Sequence, residues 1–143
     1  MKDIFINLLS HLRATALYYQ TAHWSSKTAL FYQDHLLFER LLGSVNEEID
    51  GVAEKAVGLV GIDGISLLVS LKKVYEKVKT LPQAPTENAE FFKAALGLEQ
   101  ELINLCTETE KVEGITLGFK NLLADLVDNA EGRVYLIKQR LSK

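Results

Sequence analysis

One cysteine, two prolines, one tryptophan and three histidines are all that 143 residues hold of these types, and each shortage narrows what the chain can be. Cys106 alone makes no intrachain disulfide and no thiolate metal cluster, and its position on a helical pattern predicts a small buried side chain. The two prolines, Pro82 and Pro85, stand together in TLPQAPTEN, so they break the chain at one place and leave long uninterrupted stretches on either side. No apolar run reaches the length of a membrane span. The opening MKDIFINLLSHLRATALYYQ is interrupted by Asp3, Asn7, His11 and Arg13, which leaves no signal-peptide core, so a soluble cytoplasmic protein is expected. A formal net charge of -3 gives no broad attraction to nucleic acid or anionic membrane. GLVGIDG lacks the lysine and hydroxyl of a phosphate-binding loop, and no serine, histidine and acid stand in a nucleophilic arrangement.

What is present is helical period. Ile4, Leu8, Leu12, Thr15 and Tyr19 recur at three- and four-residue steps, and Leu37, Leu41, Val45, Ile49, Val52 and Ala56 continue that period in a second segment. Beyond the prolines, Thr86 or Asn88 is placed to cap a third helix running through Phe92, Ala95, Leu98, Leu102 and Cys106. Gly114 then interrupts, and Ile115 to Leu141 reads as a fourth. The length suits one domain over residues 1–143, and four amphipathic helices in it predict an all-α bundle. The piece GIDGISLLVSLKKVYEKVKTLP is too long for a tight turn. As a long crossover with room for a short helix, it would let the second and third helices run parallel, the ferritin-like topology.

Two of the three histidines bracket HWSSKTALFYQDH, one beside Trp24 and one beside Asp34. His35 and Glu39 stand four apart on the second helix, as do Asp50 and Glu54, so each pair shares a helix face. Glu39 to Asp50 is eleven residues, close to three turns, so both pairs point the same way. At ~1.5 Å of rise per residue they nonetheless lie roughly 15 Å apart, too far for one ion with ligand bonds of about 2 Å. A two-fold dimer with antiparallel copies of this helix resolves the distance. The His35/Glu39 end of one copy then meets the Asp50/Glu54 end of the other, with His23 joining from the first helix near the connecting turn. Such a mixed imidazole and carboxylate site suits iron, zinc or manganese, and its wealth of carboxylates favours an iron that cycles between Fe(II) and Fe(III). A site inside one bundle would need two Glu-x-x-His motifs. Leu8, Gln20 and Tyr32 stand three residues before the histidines, so there are none. The plain alternative is that Lys55 neutralises Asp50 and Glu54, and that the histidines are ordinary buried ones.

His23-Trp24, Phe31, His35, Phe38, Glu39 and then Asp50-Gly-Val-Ala53-Glu54-Lys55 resemble, without a gap, the motif of the Dps-type miniferritins. Glu131, Tyr135, Leu136 and Ile137 are similar to the family's last helix. The resemblance implies a hollow homododecamer that oxidises Fe(II) with hydrogen peroxide or oxygen and stores the ferric mineral. It also implies His23, His35 and Glu39 as iron ligands and catalytic residues from one subunit, Asp50 and Glu54 from its partner, and Trp24 flanking the site. The chain departs from the pattern at Glu39, where the family has Asp; at Thr28, where it has Gly; and at Lys55, where it has Arg. The family's pore acids do not map onto Lys120 and Asn121, which leaves Asp125 and Asp128 as candidates for an entry path. A ferritin-like structural or interaction oligomer without metal chemistry is the alternative these departures raise. Only Lys2 precedes the first helix and KQRLSK ends the last, so no DNA partner is expected at physiological salt.

Overall fold

The computed structural model describes residues 1–142, which leaves Lys143, the last residue of the basic end KQRLSK, outside the described residues. Helix α1 (Lys2–Ser25) turns through a short 3-10 segment (Thr28–Leu30) into α2 (Phe31–Val60). A second 3-10 turn (Ile62–Ile65) leads to the short α3 (Leu67–Val78) within the long connection. The chain then resumes as α4 (Asn88–Glu110) and α5 (Leu117–Leu141). The described residues are all-α, with no strand among them.

Glycine allows the tight start of the crossover. Gly61 ends α2 at φ 78, a conformation that costs other residues a Cβ clash. A Cβ on Gly64 would lie 2.6 Å from the Val60 side chain, so the chain folds back closely over the last turn of α2.

The direction of the helices follows from which residues meet. Asn88 reaches Asp34, Phe38 stacks on Phe92 with ring centroids 4.3 Å apart, and one guanidinium joins Glu48 to Glu99. These pairings rise together along both sequences, so α2 and α4 run parallel, as a long crossover requires. Tyr18 against Phe91 and His11 against Leu98 run in opposite order, so α1 and α4 are antiparallel. Between the helices lies a core of Phe5, Leu8, Leu12, Tyr19, Phe38, Leu41, Val45, Phe92, Leu98, Leu102, Phe119 and Leu123, all buried. Cys106 is buried there too, and burial pushes its thiol up to about 12.

Helix starts differ from expectation in an instructive way. Neither Thr86 nor Asn88 caps α4: Glu87 occupies the cap position without a side-chain bond. Asn88 instead spends its amide on tertiary structure, donating to the Lys27 carbonyl and to Asp34 while accepting from the Lys27 N–H. Thr116, not Ile115, opens α5, and its hydroxyl accepts from the Phe119 N–H.

A cluster of charges sits in the middle of this core. Arg133 on α5 donates to both oxygens of Glu48 on α2 and both of Glu99 on α4, and also to the Ser44 hydroxyl. Tyr19 on α1 donates to Glu99 at 2.6 Å. Burial opposes the charge on Arg133, but its bonds to Glu99 and Glu48 outweigh that and hold its pKa above the usual range. Burial raises the Glu48 carboxyl above its ordinary 4.5 in spite of Arg133.

Removing the guanidinium leaves two carboxylates buried and unpaired. Arg133→Ala is therefore expected to destabilise the fold by about 3–5 kcal/mol in denaturant titration. Because the folded state holds the Glu48 proton more tightly than the unfolded chain does, this group's contribution falls as pH rises from 4.5 through its raised folded value. Across that window, the stability of Glu48→Gln should improve relative to wild type, read from denaturant midpoints at each pH.

Candidate metal centre

The turn between α1 and α2 brings His23 and His35 together. Their rings stack with centroids 3.7 Å apart and planes 17° from parallel, and Phe31 continues the stack on the His35 side at 5.1 Å. Each ring is tied to the other residue's backbone. His23 Nδ1 lies 2.7 Å from the His35 carbonyl, and His35 Nδ1 lies 2.7 Å from the His23 carbonyl. A carbonyl oxygen only accepts, so both Nδ1 atoms carry the proton. In the neutral rings that leaves both Nε2 lone pairs free. Ligating histidines are prepared in this way, the bonded nitrogen setting which one faces the metal.

Asp34, next in sequence, plays a different part. It is fully buried, receives two bonds from Arg140 at 2.7 and 2.9 Å, and accepts from Asn88. Arg140 in turn lies over the Phe92 ring. The first turn of α2, and with it His35, is thereby fastened to α4 and α5. Nothing in the helical period marks Asp34 for this role, but an acid at N4 of α2 and an arginine near the end of α5 carry the signal.

Glu39, Asp50 and Glu54 are exposed on α2. Among the described residues, none of the three pairs with a cation within 4 Å. Lys55 does not neutralise Asp50 and Glu54: its ammonium lies against Gly118 at the start of α5. Two like charges four apart on a helix are mildly repulsive, so this end of α2 favours a cation from elsewhere. No group of three or more His, Cys, Asp or Glu comes together in one chain among the described residues. His23 and His35 are brought together, with Glu39 one turn further along α2. Asp50 and Glu54 stay roughly 15 Å beyond Glu39 at ~1.5 Å per residue.

Other aromatic residues stand near the histidines in sequence. Trp24 is 66% and Tyr32 68% exposed, whereas Tyr18, Tyr19, Phe91 and Phe92 are buried. The third histidine, His11, is apart from this centre. Its Nε2 meets the Leu98 carbonyl at 2.9 Å, and burial lowers its pKa.

Comparison with solved structures places this architecture. Dps from Thermosynechococcus elongatus matches with a TM-score of 0.84 at 22% identity, over 99% of this chain and 91% of that one. DpsC from Streptomyces coelicolor matches at 0.77 and 19%, over 99% and 83%. Dps from Microbacterium arborescens in the high iron form matches at 0.80 and 14%, over 99% and 91%. The chain thus has the fold of the Dps-type miniferritins. No family model and no curated protein matches the sequence.

One residue in the turn is under strain. Thr28 has φ 69, the left-handed region that a β-branched residue enters at a cost of roughly 1–2 kcal/mol. Thr28→Gly is expected to raise stability by about 1 kcal/mol, since glycine adopts this conformation freely but loses more chain entropy. A thermal melt showing no gain would contradict that account.

Proposed function

We propose that the protein binds Fe(II) between two-fold related copies, oxidises it with hydrogen peroxide or oxygen, and stores the ferric product in a hollow homo-oligomer. His23, His35 and Glu39 of one subunit and Asp50 and Glu54 of its partner are the ligands in this reading. The observation that carries it is the reciprocal lock of His23 and His35, which leaves two Nε2 donors free on a half-exposed surface. The fold shared with Dps structures, one of them a Dps in the high iron form, supports the same reading.

An apolar groove supports self-association. A groove of about 350 Å³ is lined by Leu17, Leu42, Asn46, Ile49, Leu67 and Leu71. Leu17, Leu67 and Leu71 are exposed apolar residues, an arrangement that favours burial by a partner. On α2 the groove residues Leu42, Asn46 and Ile49 lie between Glu39 and Asp50. A two-fold axis through this stretch would lay each His35/Glu39 end beside the partner's Asp50/Glu54 end.

The chemistry follows from the donors. Exposed carboxylates bind Fe(II) and hold Fe(III) more strongly because of its extra charge, so the site stabilises the product of oxidation. Consumption of Fe(II) together with peroxide also limits hydroxyl-radical formation. A second site inside the bundle is opposed by Arg133, whose guanidinium fills the space between Glu48 and Glu99 where a metal would sit.

Anaerobic Fe(II) titration followed by peroxide, with ferric absorbance and particle size recorded, tests the reading. His35→Ala and Asp50→Ala should each abolish oxidation above buffer. Co-refolded together they should recover activity, because a mixed dimer has one site with both lesions and one with neither. Normal oxidation by both single variants, or no recovery on mixing, overturns the interfacial site.

A further inference from the structure

We propose that Asn88, the first residue of α4, is a positioning residue for the paired histidines: it holds the turn between α1 and α2 in its strained form and thereby sets the affinity for Fe(II). The inference rests on the iron-binding reading given above. The amide of Asn88 grips both limbs of the turn. Its Oδ1 accepts from the Lys27 N–H at 3.0 Å, and its Nδ2 donates to the Lys27 carbonyl at 2.8 Å and to Asp34 Oδ2 at 2.9 Å. Lys27 stands four residues after His23, and Asp34 stands immediately before His35. One side chain, only 6% exposed, therefore spans from the limb that carries the first imidazole to the limb that carries the second. Arg140 holds the same carboxylate from α5, with bonds of 2.7 and 2.9 Å. Both anchors lie outside α1 and α2, so the placement of the two limbs is referred to the rest of the bundle.

The same amide sustains the strain at Thr28. Lys27 is held extended at φ -153 and ψ 174, and the chain then reverses at Thr28, which takes φ 69. A β-branched residue stays in that region only where its surroundings over-determine it. The bonds that fix Lys27 through both of its backbone polar groups supply that constraint. Thr28 donates its own hydroxyl to the Lys27 carbonyl, but that bond travels with the turn and fixes nothing relative to α4. Without the Asn88 amide, Lys27 is free to rotate and Thr28 to leave the left-handed region. The limbs that carry His23 and His35 then lose their common reference. The bonds of each ring to the other residue's carbonyl, both 2.7 Å, depend on that alignment.

The consequence falls on binding rather than on oxidation. Two Nε2 donors that are already aligned need little further ordering when the ion arrives, whereas donors on a relaxed turn must be ordered by the ion itself. Once iron is bound, the same donors surround it, and the step that follows is unchanged. Loss of an outer partner of a metal-binding histidine costs roughly 10–100-fold in metal affinity.

Asn88→Ala in the assembled protein is the test. The Kd for Fe(II), from anaerobic equilibrium dialysis, should rise roughly 10–100-fold. In oxidation assays with peroxide, the KM for Fe(II) should rise with it while kcat is retained. A role in folding alone would lower kcat through loss of competent protein and leave Kd and KM where they were. A second measurement needs no iron. The gain in Tm from Thr28→Gly should disappear in the Asn88→Ala background, because the strain has already been released. If Asn88→Ala fails to assemble, Asn88→Ser, whose hydroxyl is too short to span both limbs, takes its place with the same expectations. An unchanged Kd, or a Thr28→Gly gain that is full in both backgrounds or missing from both, overturns the proposal and leaves the iron site standing. No saturable Fe(II) uptake by the wild type overturns the iron site, and this proposal with it.

Discussion

A single guanidinium holds the interior together. Arg133 binds Glu48 and Glu99, and through Glu99 it also reaches Tyr19, so one charged group ties α1, α2, α4 and α5 at the same level of the bundle. Hydrophobic packing alone would leave helices free to slide by a turn at small cost, because one leucine replaces another. Bidentate pairs do not tolerate such a slip: a shifted register would strand two buried carboxylates. The parallel course of α2 and α4 is therefore fastened at its centre by ions, and near the turn by the stack of Phe38 on Phe92 and the bonds of Asp34.

The candidate centre depends on that register. His23 comes from α1 and His35 from α2, and their mutual bonds to carbonyl oxygens form only when the two helices are aligned to within an ångström or so. Asp34, held by Arg140 and Asn88, fixes the end of α2 from below. Thr28, in a strained conformation, closes the connection from above. Rigid elements thus deliver two imidazoles with one defined protonated nitrogen each, which is more than two histidines near each other would guarantee.

Much of this was legible in the residues. The three- and four-residue recurrence of apolar side chains marks every long helix, and the length of the segment between α2 and α4 implies the crossover. The spacing of His23, His35, Glu39, Asp50 and Glu54 singles out the candidate ligands. The buried ion cluster was not read, although its signal is present: Glu48, Glu99 and Arg133 occupy core-facing positions among Val45 and Val52, Ala95 and Leu102, and Ala130 and Ile137. Period analysis treats a charge on the apolar face as noise, and only tertiary contact shows which charges cancel. The histidine lock escaped for another reason. It depends on backbone carbonyls, which every residue has and no side-chain pattern reports.

The separation of the two ligand pairs on α2 has a consequence for timing. Under the proposed function a newly made chain carries histidines at one end of a helix and acids at the other, and neither set suffices to turn over iron. Reactivity toward peroxide then appears only when two copies meet, within a particle able to confine what is formed. A lone subunit would be chemically silent, so a population of unassembled chains would add no source of radicals to the cell that makes them.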